Sequence, residues 1–214
     1  MCKIVIVVVA ALALFSGHAL AQNPQTPQWC NVSTSLIWNN TDFFGNWMEV
    51  GRNPIQGTPG CMIFYGNLTS DNVTLSINGS RSANPTSVYG TIHESAKVKL
   101  VANATTGYNV TFNNGAPVMT KLLQFVNYTY LIGCGYTDNQ DMSTSFGFIL
   151  ARSNYTLDNT QIAANNASKL YSNFQNSSTF GTINQKGCIY SSASQSLPMI
   201  SGFVALALLL IKAH

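Results

Sequence analysis

The side chains able to do covalent or metal chemistry are few and scattered. Of the three histidines, His18, His93 and His214, only His93 lies away from the chain ends. A zinc site or a metalloprotease helix needs several ligands brought together, and no such set can be assembled from one histidine. His93 reads instead as a strand-end residue on a sheet rim. Asp138 and Asp141 stand three apart in a turn-rich stretch, where a solvated loop explains them better than a carboxylate dyad. Four cysteines, Cys30, Cys61, Cys134 and Cys188, remain once Cys2 is set aside with the N-terminal segment. An even count in an oxidising compartment means two disulfides, with three pairings open, and no thiol is left for nucleophilic work. An enzyme is therefore not expected, and neither a metal nor a cofactor is called for.

The chemistry the chain does offer is attachment. Eleven Asn-X-Ser/Thr acceptors follow the N-terminal segment, none with proline in the middle: Asn31, Asn39, Asn67, Asn72, Asn78, Asn103, Asn109, Asn127, Asn154, Asn166 and Asn176. Only 8% of the residues are charged, against about 25% in an ordinary soluble protein, so glycans would supply hydration that ionic groups do not. Lys3 followed by an apolar run over 4–15 and closing in Ala19-Leu20-Ala21 is a signal peptide over 1–21. At the other end, 197–211 is apolar but interrupted by Pro198, Ser201 and Gly202, and is shorter than the roughly 20 residues of a spanning helix. Ser191 and Ser192 provide small residues ahead of it. Residues 191–214 fit a GPI-attachment signal that is removed, with a short tail anchor as the alternative. The formal charge is +3, and setting aside Lys3 and Lys212 with the ends leaves eight basic against seven acidic side chains. Such a surface has no basic patch for a phosphate backbone, so nucleic acid is excluded as a partner.

The remaining 22–190 is one domain, and strand patterns fill it. Short β-branched and aromatic runs are split by Asn53-Pro54, Asn84-Pro85 and Asn113-Asn114-Gly115. Eight strands are expected, at 47–52, 62–68, 73–77, 88–93 (continuing to 101), 108–112, 118–124, 127–136 and 145–151. A helix follows, capped by Asp158 with Gln161 three residues on, and with Ile162, Ala163, Leu170, Tyr171 and Phe174 on one side. Strand side chains alternate faces, so a glycosylated Asn turns its neighbours inward. Asn109 outside places Tyr108, Val110 and Phe112 inside. Asn127 outside places Tyr128, Tyr130 and Ile132 inside. Asn72 and Asn78 leave Val73, Leu75 and Ile77 for the interior, Asn67 leaves Phe64 and Leu68, and Lys121 leaves Val118 and Leu122. Antiparallel strands with one wet and one dry face result. The expected fold is all-β, an eight-stranded antiparallel up-and-down barrel with one C-terminal α-helix packed outside; a two-sheet sandwich is the alternative.

Three stretches together resemble the lipocalin family, in its apolipoprotein D and Lazarillo-like branch. They are Phe43-Phe44-Gly45-Asn46-Trp47-Met48-Glu49 with its Gly-X-Trp, Asn127-Tyr128-Thr129-Tyr130-Leu131-Ile132-Gly133-Cys134, and Gly147-Phe148-Ile149-Leu150-Ala151-Arg152-Ser153. The resemblance spans roughly residues 30–188. It implies that Trp47 and Arg152 meet across the closed end of the barrel. It also implies disulfides Cys30–Cys134 and Cys61–Cys188. The family's middle Thr-Asp-Tyr would fall at Leu123-Gln124-Phe125, where the acid is missing, and that motif is not carried over.

The function expected is an extracellular carrier of a small hydrophobic ligand: a fatty acid, sterol, retinoid or tetrapyrrole pigment. The wall would comprise Phe64, Leu68, Val88, Tyr108, Val110 and Phe112, with Val118, Tyr128, Tyr130 and Phe148. The chain would act as a monomer at the outer face of the plasma membrane, GPI-linked and open to shedding. The alternative is a glycosylated, GPI-linked recognition or adhesion protein whose barrel is a scaffold for a cell-surface protein partner. Treating cells that express the chain with phosphatidylinositol-specific phospholipase should release it into the medium; retention on the cells would exclude the GPI linkage.

Overall fold

The computed structural model describes residues 26–37, 44–101, 105–126, 129–153 and 155–190. The two terminal segments, 1–21 and 191–214, lie outside these, as do Asn39, Asn103, Asn127, Tyr128, Asn154, Ser191 and Ser192.

Strands β1 (Gly45–Asn53), β2 (Ile63–Leu68), β3 (Thr74–Arg81), β5 (Ile92–Lys99), β6 (Tyr108–Val110), β7 (Val118–Val126), β8 (Tyr130–Tyr136) and β9 (Phe146–Ala151) form one antiparallel meander. Strand β9 pairs back onto β1, with Met48 opposite Ala151. The last gap, between β5 and β6, is bridged at Ala96 and Phe112, and the Asn113 amide donates to Ser95 O. The result is a nearly closed eight-stranded barrel of alternating strands, not a two-layer sandwich. Short pieces fall outside the meander: β4 (Tyr89–Gly90) pairs in parallel with β11 (Ile189–Tyr190), and β10 (Gly181–Thr182) pairs with β1. The expected strand at 88–93 is thus divided between β4 and β5.

Helix α1 (Leu157–Ser168) begins two residues earlier than the Asp158 cap expected from sequence. Thr156 is the cap, its hydroxyl accepting from Asn159 N at 3.1 Å. Its buried residues are Thr160, Ala163, Ala164 and Ala167, while Ile162 is 56% exposed and Leu170 is exposed as well. Small side chains let the helix lie close against β1, β8 and β9, and large ones would hold it off. Apolar type alone therefore misjudged the face, since close approach favours volume over hydrophobicity.

Apolar cores form on both sides of the barrel wall, with a smaller cluster around the Cys30–Cys134 disulfide. Inside are Trp47, Leu75, Ile77, Val98, Leu131 and Leu150; outside, under α1, are Val50, Tyr130, Ile132, Ile149 and Phe174. Both expected disulfides are present, Cys30–Cys134 and Cys61–Cys188. They span 104 and 127 residues, and loops that long stabilise by up to about 5 kcal/mol each through chain entropy.

One end of the barrel is sealed. Trp47 is fully buried, and the Arg152 guanidinium lies 3.8 Å above its ring. Arg152 Nη1 donates to Asn46 O at 2.9 Å, and its backbone amide donates to Thr129 O. Burial lowers the Arg152 pKa from its ordinary value, which still leaves the side chain cationic. Gly45 has φ of +91°, and a β-carbon there would meet Arg152 Nη1 at 3.3 Å, so glycine suits the position twice over. Phe125 adds to the seal: its ring meets Trp47 edge-on at 5.8 Å. A bulge between Leu122 and Gln124 turns Phe125 inward. Replacing Trp47 by alanine should cost about 3–5 kcal/mol in urea unfolding. Replacing Arg152 by methionine should cost about 0.5–2 kcal/mol. The double variant should lose less than the sum; strict additivity would show that the stack contributes nothing of its own.

Candidate ligand cavity

Every strand runs between the sealed end and an open one. β1 leaves the Trp47 end and reaches the mouth at Arg52; β3 arrives there at Arg81, and β5 starts from it at Ile92. Between the ends lies a cavity of about 610 Å³. Its depth is walled by Leu75, Val98, Leu100, Leu122 and Leu150, and its middle by Phe64, Ile77, Tyr108, Val110 and Phe148. Phe112, Val118, Phe146, Pro59 and Pro85 stand at the mouth. The lumen stays open because its aromatic rings lie along the wall. Phe148 rests over Gly133, where any β-carbon would sit 2.3 Å from the ring. Phe64 stacks tilted on Phe112 at 6.1 Å, and Phe146 on Phe148 at 6.3 Å.

The charges of the cavity are gathered toward its mouth as two ion pairs. The Glu49 carboxylate, 2% exposed, accepts from Arg52 Nε at 2.5 Å and from Arg52 Nη2 at 3.0 Å. Arg81 Nε donates to Glu94 Oε1 at 2.6 Å across β3 and β5. The Arg52 guanidinium also lies 4.6 Å from the centre of the Phe146 ring. Strict alternation would put residues 49 and 52 on opposite faces. A bulge between Glu49 and Gly51 shifts the phase and brings both into the lumen.

Of the wall residues expected from sequence, Phe64, Tyr108, Val110, Phe112, Val118 and Phe148 face the cavity, and Asn67, Asn78 and Asn109 are exposed on the opposite face. Five expected inward residues need correction. Tyr130 and Ile132 belong to the core under α1, where the Tyr130 hydroxyl accepts from Thr156 N at 3.2 Å. Leu131 takes the inward position instead. The helix makes the outer face of β8 apolar too, so the rule of one wet face fails there. Leu68 ends β2 beyond the cavity, half-buried against Leu75 of β3. Val88 lies at the rim, where its carbonyl accepts from Ile189 N, and its side chain does not reach the lumen. Val73 sits in the turn before β3 and is exposed.

Sequence reading missed Glu49, Arg52, Arg81 and Glu94. The acid–base pairing of 81 with 94 was legible only once the register of β3 and β5 was known. Lys121, on the outer face of β7, donates to Asn31 O at 2.9 Å and Ser33 O at 2.7 Å, and burial lowers its pKa. It fastens the N-terminal arm to the wall. His93 is exposed at the open end of β5. Asp141 caps a turn by accepting from Ser143 N at 2.9 Å, and these hydrogen bonds hold its carboxyl below the usual range. Among the described residues, no group of three His, Cys, Asp or Glu side chains is placed to hold a metal ion.

No protein-family model matches the chain, and no curated protein matches it in sequence. Solved structures do match. Apocrustacyanin C1 superposes with a TM-score of 0.55 at 15% identity, over 80% of this chain and 96% of that one. Insecticyanin from the tobacco hornworm Manduca sexta gives 0.55 at 20% identity, over 78% and 92%. The amine-binding protein of Rhodnius prolixus, solved as its tryptamine complex, gives 0.54 at 14% identity, over 80% and 98%. These are lipocalin-fold proteins, and the chain has the lipocalin fold.

Replacing Arg52 by methionine leaves the Glu49 carboxylate buried and unpaired, which should destabilise by roughly 3–5 kcal/mol. Changing Glu49 to glutamine in the same chain should restore most of that loss. Chemical denaturation at one pH measures both, and an Arg52→Met loss under about 1 kcal/mol would mean the pair is effectively solvated.

Proposed function

We propose that the chain is a secreted carrier of a small hydrophobic ligand, held by its C-terminal segment at the outer face of the plasma membrane. The observation that carries this reading is a largely apolar cavity of about 610 Å³, stoppered at one end and open at the other. That volume lies within the range of about 300–1,000 Å³ typical of small-molecule pockets. The two disulfides fit the oxidising compartment that a signal peptide implies. The finer assignment to the apolipoprotein D and Lazarillo-like branch rests on the three sequence stretches, the two disulfides and the Trp47–Arg152 stack.

The walls limit the ligand's chemistry. A chain or flat ring system would lie among Leu75, Val98, Leu122 and Phe148, where burial contributes about 25 cal/mol per Å². Its polar end would meet the two arginine–glutamate pairs. Both Glu49 oxygens are engaged by Arg52, and one Glu94 oxygen by Arg81, while Arg52 Nη1 and Arg81 Nη2 retain donor capacity. An excess of donors favours an acceptor headgroup such as a carboxylate or carbonyl. It distinguishes this mouth from one suited to a cationic amine such as the tryptamine of the Rhodnius complex. A fatty acid meets both requirements most simply.

Native mass spectrometry of the purified, deglycosylated protein should show a co-purifying lipid-like compound. A fluorescent fatty acid should bind, and Val110→Trp, which fills the lumen, should weaken it at least tenfold, a loss of about 1.4 kcal/mol. Tyr130→Phe, on the helix side of the wall, should leave binding unchanged. Absence of both a co-purifying compound and probe binding would leave the barrel as a scaffold for surface recognition.

A further inference from the structure

The C-terminal part of the domain is fastened to the open end of the barrel. Cys188 is bonded to Cys61, two residues before β2 at the mouth. β11 pairs with β4, placing Ile189 beside Tyr89 and Tyr190 beside Gly90, and the Tyr190 ring covers the face of Gly90. The Tyr190 hydroxyl donates to Gln185 Oε1 at 2.8 Å, and Gln185 Nε2 donates to Glu49 O and Met62 O. Six residues separate Tyr190 from the apolar run that begins at Leu197. Even fully extended they reach at most about 25 Å. The limit holds whether that run is kept or exchanged for lipid at Ser191 or Ser192.

The strand connections at the two ends differ in the acceptors they contain. Asn72 lies in the β2–β3 turn at the sealed end. The sequence between β5 and β6 contains Asn103, that between β7 and β8 Asn127, and that just after β9 Asn154. All three stretches connect strand ends at the sealed side. The four connections at the open end, residues 54–62, 82–91, 111–117 and 137–145, contain no acceptor. The one Asn-X-Thr triplet there, Asn84-Pro85-Thr86, is disabled by its proline. Two acceptors from other segments stand beside the open end: Asn31 Nδ2 donates to Asn139 O within the last of these connections, and Asn53, at the mouth end of β1, donates to Asn176 O. The first three of these connections also contain no charged residue, and Tyr89 and Ile189 stand paired on the rim, each 56% exposed.

We infer that the open mouth of the barrel faces the membrane to which the C-terminal segment attaches, so that ligand passes between cavity and bilayer at a rim whose own strand connections contain no glycan acceptor. The partner is a lipid surface, with Tyr89 and Ile189 at its interface. The sealed end points away from it. This rests on the proposed membrane attachment and adds an orientation that attachment alone does not imply.

The full chain, expressed through eukaryotic secretion, is carried with its own attachment into phosphatidylcholine vesicles containing nitroxide-labelled lipid. A fluorophore is placed at Ala83→Cys on the rim or at Ser70→Cys at the sealed end; both positions are exposed. About 25 Å of strand separates the two ends. The rim label should lose most of its emission and the sealed-end label should keep it. Equal quenching, or stronger quenching of the sealed-end label, overturns the orientation. The readout needs no ligand, so it is independent of whether a fatty acid binds. A chain that stays in the supernatant overturns the attachment and the orientation together. As a second variant, Ala116→Thr completes a sequon at Asn114 in the β6–β7 connection. The added glycan should slow transfer of a preloaded fluorescent fatty acid to the vesicles severalfold, with affinity in solution unchanged. An unchanged transfer rate on a variant shown to carry the glycan contradicts a membrane-facing mouth.

Discussion

A barrel of eight strands has two ends, and this molecule depends on closing just one of them. The guanidinium of Arg152 over the fully buried Trp47 does that. Its charge sits on the indole face, Nη1 is taken by the Asn46 carbonyl, and Phe125 packs edge-on from below. The residues come from three separate strands or strand ends, so the stack also fixes β9 against β1 where the sheet closes on itself. With the floor sealed, the apolar wall above it encloses a space with a single entrance.

An unfilled lumen forfeits dispersion contacts that a packed core would have made. The structure places compensating stability outside it. The small residues of α1 bring the helix against the outer faces of β1, β8 and β9, where Tyr130, Ile132 and Ile149 are buried. Lys121 draws the N-terminal arm onto β7, and the disulfides pin both the arm and the C-terminal segment to the barrel. The wall is therefore braced from its back, which leaves its front free to accept a guest.

Polarity rises along the axis from floor to mouth. Leucines and Val98 lie deep, aromatics run from the middle to the mouth, and the two arginine–glutamate pairs stand toward the opening. The same axis runs from the β2–β3 turn that holds Asn72 to the rim that holds the C-terminal strand. The cavity mouth and the end of the described C-terminal strand thus share one end of the barrel.

The sequence by itself determined the strand count, the four disulfide cysteines and the inward parity of Tyr108, Val110, Phe112, Val118 and Phe64. Local alternation and the position of Asn109 or Asn67 are enough for those, since an exposed polar side chain turns its neighbours on the strand to the other face. Resemblance added the partner of each cysteine and the meeting of Trp47 with Arg152. The tertiary structure alone decided three things. It turned Tyr130 outward, because a helix covering β8 makes both faces apolar. It brought Glu49 and Arg52 together, because a bulge resets the phase of β1. It placed Arg81 beside Glu94, because cross-strand pairing depends on register. In each case the deciding contact joins residues whose relation is set by a neighbouring element, and no local pattern encodes it.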